Sequence, residues 1–320
     1  MLSRVADAIY WMSRYVERAE NTARFIDVNL HLMLDLPAGF ARQWKPLIAV
    51  TGDETLFQKR YGQATEEHVV EFLTFDRSYP NSIVSCLSQA RENARSIREI
   101  ISSEMWEHLN AFFLTVQNTR PDLAADAPHD FYTEVKMGCH LMAGITNATM
   151  SHGEGWHFGR LGGMMERADK TLRILDVKYF ILLPQVQDVG TPFDNIGWSA
   201  LLKSASALEM YRIAFGLIHP SRVAEFLILH PEFPRAIHYC LRKADRSLHA
   251  IAGSPAGTFA NEPERLLGHL CAELSYRPIG DIIGGGLHEF LDMFQYRLNE
   301  IDQTIFDTFF ALRPIQKEKS

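Results

Sequence analysis

Over the first thirty-odd residues, apolar side chains recur every three or four positions: Val5, Ile9, Met12, Val16, Ala19, Ala23, Ile26, Leu30 and Met33. That period gathers them on one face of a helix. Ala19 and Ala23, in the middle of the stripe, leave room for a second helix to approach closely. Pro37 and Gly39 are expected to end the run. Comparable periodicity covers 82–117, 131–150, 161–183, 198–218, 235–251 and 286–310. Breaks rich in Pro and Gly fall near 119–128, 184–197, 253–263 and 278–286, and 253–263 reads as a loop rather than an interdomain linker. Strand-like alternation and Asn-Gly or Asp-Gly hairpin turns between apolar runs are both missing. The predicted class is all-α.

The pattern also repeats. Residues 17–28 (ERAENTARFIDV) and 166–177 (ERADKTLRILDV) share seven of twelve positions, and 71–90 shares eight of twenty with 225–244. Composition alone would give about one or two matches in such a window. The offset grows from 149 to 154 ahead of Trp44 and Trp198, which also correspond. Two windows in one order predict a tandem duplication of a helical-bundle unit. The units are expected at 1–150 and 151–320, packed pseudo-symmetrically, or merged into one continuous structural domain. Features found in both units are then read first as requirements of the fold. Cys86 and Cys240 correspond and read as buried small hydrophobes.

Composition narrows the function classes. A net charge of −7 disfavours non-specific grip on nucleic acid or anionic membrane, and neither is expected as a partner. The four cysteines lack C-x-x-C spacing, so no zinc or redox motif is indicated, and no cofactor or metal is predicted. Asp7 and Arg14 interrupt any basic-then-apolar leader, and the apolar stretches are too short to span a bilayer. A reducing, cytoplasmic setting is the expectation.

The strongest chemical signal in the repeat is a Glu-Arg dipeptide, Glu17-Arg18 and Glu166-Arg167. Neighbours on a helix point about 100° apart, so each Glu and Arg must find separate partners. Arg18 shares a stripe with Trp11 and Phe25 and is expected to lie against them. Glu17 flanks Arg14, Asn21 and Arg24. Glu20 with Arg24, and Asp169 with Arg173, form i,i+4 pairs that read as solvated support. A buried charge needs a partner. A two-fold arrangement of the motif helices would bring Glu17 to Arg167 and Glu166 to Arg18, either locking the units together or building a site.

Three further groupings carry weaker signals. Arg91, Arg95 and Arg98 fall on one helical face of the first unit alone and could grip a carboxylate, phosphate or acidic partner, or simply form a salt-bridged face. His152, Glu154 and His157 are spaced near a helix start, but no fourth metal ligand is identifiable; Glu154 reads as a helix-start residue and Trp156 as core. Gly280 and Gly284 to Gly286 precede the last helix without the strand or Lys-Ser/Thr of a phosphate loop, and read as a tight helix-start turn.

Several segments resemble those of the bacterial alpha-E family: LSRVADAIYWMSRYVERAENTAR (2–24), PNSIVSCLSQARENARSIREIIS (80–102), EGWHFGRLGGMMERADKTLRIL (154–175), WSALLKSASALEMYR (198–212) and PEFPRAIHYCL (231–241). The resemblance runs through essentially the whole chain. It implies an all-helical fold and a place in a bacterial peptide synthesis or modification system. Such systems are built around a circularly permuted ATP-grasp carboxylate–amine ligase, with transglutaminase-like proteins and an N-terminal-nucleophile peptidase. It brings no established catalytic residues; the motif positions are Arg14, Glu17, Arg18, Arg24, Glu166, Arg167 and Arg173. Gly163 stands where an arginine matching Arg14 is expected. The chain therefore reads as an accessory or partner-binding subunit. The alternative is an enzyme in its own right, an amide transferase or hydrolase using the motif carboxylates and arginines.

Overall fold

The computed structural model describes residues 1–35, 44–119, 121, 126–181 and 192–311, and among these every regular element is helical. The expected helix ends at Pro37 and Gly39 and the first part of the break expected at 184–197 lie outside the described residues; the remainder, 192–197, is helical. The chain runs α1 (Ser3–Asp35), α2 (Lys45–Thr51), α3 (Glu54–Tyr61), α4 (Glu66–Val70, continued by a π-helical turn Glu71–Phe75), α5 (Ile83–Ser96), α6 (Ser103–Asn118) and α7 (Pro128–Thr149). It continues through α8 (Glu154–Ile181), α9 (Pro192–Ser204), α10 (Leu208–Phe215), α11 (Pro220–Leu229), α12 (Ile237–Ala252), α13 (Glu262–Tyr276), α14 (Ile279–Gly284) and α15 (Leu287–Ile305), the last closed by a π-helical turn Phe306–Phe310.

Local chemistry fixes several boundaries. The Ser82 and Ser102 hydroxyls accept the backbone N–H of Ser85 and Met105, capping α5 and α6. That second cap splits the single helix expected over 82–117. Residues 198–218 divide likewise, because Ser206 adopts a positive φ between α9 and α10. The break expected at 278–286 contains the short α14, and Gly286, at φ 96°, opens α15 as the predicted helix-start turn.

The long helices α1 and α8 pack against each other at the centre. Around them α5 and α7 lie on α1, while α12 and α15 lie on α8. The buried apolar residues form one connected cluster that runs through both halves of the chain. Ile9, Met12, Ala19, Ala23 and Ile26 supply the buried stripe of α1, facing Leu161, Met165, Ala168, Leu172 and Leu175 of α8. Trp44 and Trp198 are both buried, as are Cys86 and Cys240, whose thiols burial pushes up to about 12. These thiols stay protonated and behave as hydrophobes. At the crossing, a Cβ on Gly162 would stand 2.4 Å from the Tyr10 carbonyl oxygen, so only glycine lets the helices meet there.

Candidate functional site

Because α1 and α8 cross closely, their Glu-Arg dipeptides face one another. The Arg167 guanidinium donates to both Glu17 oxygens, at 2.8 and 2.7 Å. The Arg18 guanidinium likewise spans Glu166, at 2.7 and 2.8 Å. Each dipeptide thus gives its carboxylate to the other helix and receives that helix's arginine, as the two-fold arrangement requires. Both bonds are bidentate, the geometry in which arginine binds carboxylate most strongly.

The surroundings of the two carboxylates differ. Glu166 is fully buried and also takes Arg14 Nε at 3.0 Å and Lys170 Nζ at 3.5 Å. Burial alone would raise its pKa, but Arg18, Lys170 and Arg14 outweigh that and hold it well below the usual carboxylate range. Arg14 continues to Asp302 at 2.7 Å, and the Tyr10 hydroxyl donates to the same carboxylate at 2.9 Å. Asn81 accepts a short hydrogen bond from Arg18.

Glu17 is met instead by Arg235 at 3.2 Å and by the Asn21 amide at 3.0 Å. Arg235 reaches on to Glu20 at 2.6 Å, and Arg24 completes that pair. Against the opposing effect of burial, Arg167 and Arg235 lower the pKa of Glu17, and Arg235, a hydrogen bond from His140 and Arg24 lower that of Glu20. The Glu20–Arg24 pair, expected to be solvated, is buried, because α7 and the start of α12 cover it. Asp169, paired with Arg173 at 3.0 Å and with Lys170, is buried too, and its pKa is pushed down to about 2 as these cations outweigh its burial.

Beside Glu17 lies an open cavity of about 550 Å³ between α1, α7 and α8. Its polar lining includes Glu17, Glu20, His140, Asn147, Arg160 and Arg167, and Met12, Val16, Met142 and Met164 supply apolar walls. Trp156, expected in the core, lines this cavity, stacked on His152 at 4.2 Å with the Arg160 guanidinium 4.9 Å from its ring. Cys139 also borders it, but burial and the nearby Glu20 and Glu17 raise its pKa well above normal, so it is no nucleophile at neutral pH.

Of the remaining sequence candidates, His152 borders the cavity, and the others take different places. Arg18 lies over Tyr15, at 5.7 Å, and not over Trp11, which carries Arg14 at 5.1 Å instead. Arg91, Arg95 and Arg98 do not share one helical face, because α5 ends at Ser96. Arg91 and Arg95 pair with Glu92, and Arg91 and Arg98 pack on Trp106, the salt-bridged and stacked surface of the simpler reading. Of the histidine grouping, His152 turns to Trp156 while His157 faces Ser247, so they do not converge; Glu154 sits in the first turn of α8.

One group with metal-ligating atoms was not foreseen. Asp27, His31 and His129 bring donor atoms within 4.8 Å of one another, His129 Nδ1 standing 2.8 Å from Asp27 Oδ1. Lys136 already holds the other Asp27 oxygen at 2.6 Å, which weighs against a divalent ion. In the second half Asp176 meets His288 at 2.7 Å, so an Asp–His contact joins helix to helix in both places.

Fold and site define an all-helical protein whose two central helices are joined by exchanged, bidentate Glu–Arg pairs. The chain belongs to the Alpha-E family, described as a predicted alpha-helical domain with a conserved ER motif, which matches residues 1–310. It is similar to uncharacterized proteins of Mycobacterium bovis and of two strains of Mycobacterium tuberculosis, each 22% identical over 290 residues. The match takes in 85% of this chain but only 32% of each relative, so the chain spans about a third of their length. No solved structure matches. Among the described residues no helix is long and apolar enough to cross a membrane.

Proposed function

We propose that this chain is an accessory, partner-binding component of a bacterial peptide synthesis or modification system, working in the cytoplasm with a circularly permuted ATP-grasp carboxylate–amine ligase. In this reading it holds the ligase or presents its peptide substrate, and a transglutaminase-like protein is a further partner. The observation that carries the reading is the state of the motif carboxylates. Glu17 and Glu166 are each gripped by two or more cations and kept ionised far below neutrality. A general acid or base needs a pKa near working pH and a free lone pair or proton. These carboxylates lack such a pKa, so the dipeptides serve to set the helices and leave the cavity to bind. The mycobacterial relatives support the same reading, since a region that fills a third of a longer chain works beside other parts of it.

The alternative, an amide transferase or hydrolase acting through Glu17, Glu166 and the arginines, draws support from the open cavity beside Glu17. It requires that carboxylate to exchange a proton at neutral pH, against the pull of Arg167 and Arg235. Co-purification of the full chain with the ATP-grasp protein, followed by ligase assays with and without it, tests the proposal. A complex and a changed ligase rate are expected. No complex and an unchanged rate would overturn it.

A further inference from the structure

The step of 149 that relates the two dipeptides also pairs Tyr10 with Gly159 and Arg14 with Gly163. For α7 and α15 the step is 159: His129 falls on His288, Phe131 on Phe290, Val135 on Phe294, Cys139 on Leu298 and Met142 on Ile301. The last four pairs are buried on both sides, and the two histidines each meet an aspartate of the central helix. By this register Ala143 is the counterpart of Asp302. The cavity beside Glu17 is therefore the place that Tyr10, Arg14 and Asp302 fill beside Glu166. Gly159, Gly163 and Ala143 line it in their stead. At the same end of the filled site Phe310 packs on Tyr10 and Phe158, whereas α7 stops at Thr149 and leaves the cavity open.

What fills the closed site indicates the chemistry that suits the open one. Setting Arg14 and Asp302 aside, the closed site has two carboxylates, Glu166 and Asp169, against Arg18, Lys170 and Arg173. The open site has Glu17 and Glu20 against Arg167, Arg235 and Arg24. The two balances are equal. What the closed site adds is one guanidinium and one carboxylate in contact, a neutral ion pair on a short apolar stem. At the cavity, Arg160 is a further cation that forms no salt bridge among the described residues. It stands in the like-charged company of Arg246 and Lys243, so it would welcome a carboxylate.

We infer that the cavity binds a zwitterionic ligand of amino-acid or short-peptide type. Its guanidinium or ammonium group faces Glu17 where Arg14 faces Glu166, and its carboxylate lies toward Arg160. The volume of about 550 Å³ is that of a site for a small organic molecule, and the methionines adapt to its apolar stem. This inference deepens the proposed function, on which its biological meaning rests, but the binding itself needs no partner.

The test is calorimetric titration of the full chain with 4-guanidinobutyrate, which carries both charges, and with n-butylguanidine and butyrate, which carry one each. The zwitterion is expected to bind at least about tenfold more tightly than either single-charge analogue. The double variant Gly163→Arg, Ala143→Asp rebuilds the closed arrangement inside the cavity and should abolish binding with an unchanged melting temperature. A Cβ at Gly163 meets nothing within 4 Å, so the helix accepts it. Arg160→Ala, outside the exchanged pairs, should weaken the zwitterion and leave n-butylguanidine unaffected. Absence of zwitterion binding at millimolar concentration, equal affinity for all three probes, or full binding by Arg160→Ala would overturn the inference. A ligase complex without zwitterion binding removes this inference alone; zwitterion binding without a complex removes the proposed partner alone.

Discussion

The surroundings of Glu166 and of Glu17 are built from the same exchanged pair, yet one is sealed and the other opens on a cavity. Around Glu166, Arg14, Asp302 and Tyr10 complete a network of hydrogen-bonded groups that is buried except at Asp302, which is partly exposed. Around Glu17 the corresponding positions are glycine and alanine, and Arg235 supplies the second cation from the start of α12. The pair common to both sites fixes the helices. The residues that differ decide whether space for a ligand remains. A motif repeated in both sites can thus set the helices in each, while the residues around it decide whether one of them also binds.

The sharpest way to break the comparison is to neutralise each carboxylate in turn. Glu166→Gln leaves Arg18 without a carboxylate in the core, takes one of two from Arg14 and Lys170, and should cost about 3–5 kcal/mol in urea unfolding. Glu17→Gln, whose site borders the open cavity and can be rehydrated, should cost about 1–3 kcal/mol. Equal losses would mean that the cavity does not soften the second site.

The partners that differ between the sites come next. Arg235→Ala leaves Glu17 and Glu20 short of a shared cation and should cost about 3 kcal/mol, while Asn81→Ala removes one neutral acceptor from Arg18 and should cost about 1 kcal/mol. The same denaturation curves measure both, and a reversed order would refute the assignment of Arg235 as the substitute cation.

Acid should affect both sites together. The buried carboxylates are depressed in the folded chain, so their contribution is complete above the unfolded value of about 4 and is lost as pH falls toward the folded values. Asp169, at about 2, stays ionised well into that fall, and Glu20 and Glu166 are depressed as well. Melting temperature should therefore hold between pH 7 and about 4.5 and drop steeply below it. A fall beginning near pH 6 would point to histidines instead. The smallest effect expected is from Gly163→Ala, where open space and better helix propensity should stabilise by about 0.5–1 kcal/mol. A loss of stability there would show that the cavity wall is already close-packed.

The helical class and most element positions were legible because buried faces of long helices impose a period of 3.6 on the sequence. The exchanged pairs were legible too, since a repeated Glu-Arg whose members cannot reach each other must look to its counterpart. The cavity was not. Gly163 could be noticed as a missing arginine, but Asp302, Tyr10 and His140 carry no local signal, and only packing brings them to the motif. Arg235 was within reach, for it stands opposite Asn81 in the second aligned window. Arg91, Arg95 and Arg98 misled because a run of charges at helical spacing looks the same whether or not the helix continues past Ser96.

Gly162 gives the two central helices one setting. With the Tyr10 carbonyl seated where a methyl group would otherwise stand, α1 rests in α8 as a tooth in a single notch. A slip by one turn, about 5.4 Å, toward the C-terminal end of α8 would carry that carbonyl onto Met165 and Glu166, where there is no notch, and a slip either way would part every exchanged pair at once. The glycine seat and the exchanged ion pairs therefore specify one and the same register for the two helices.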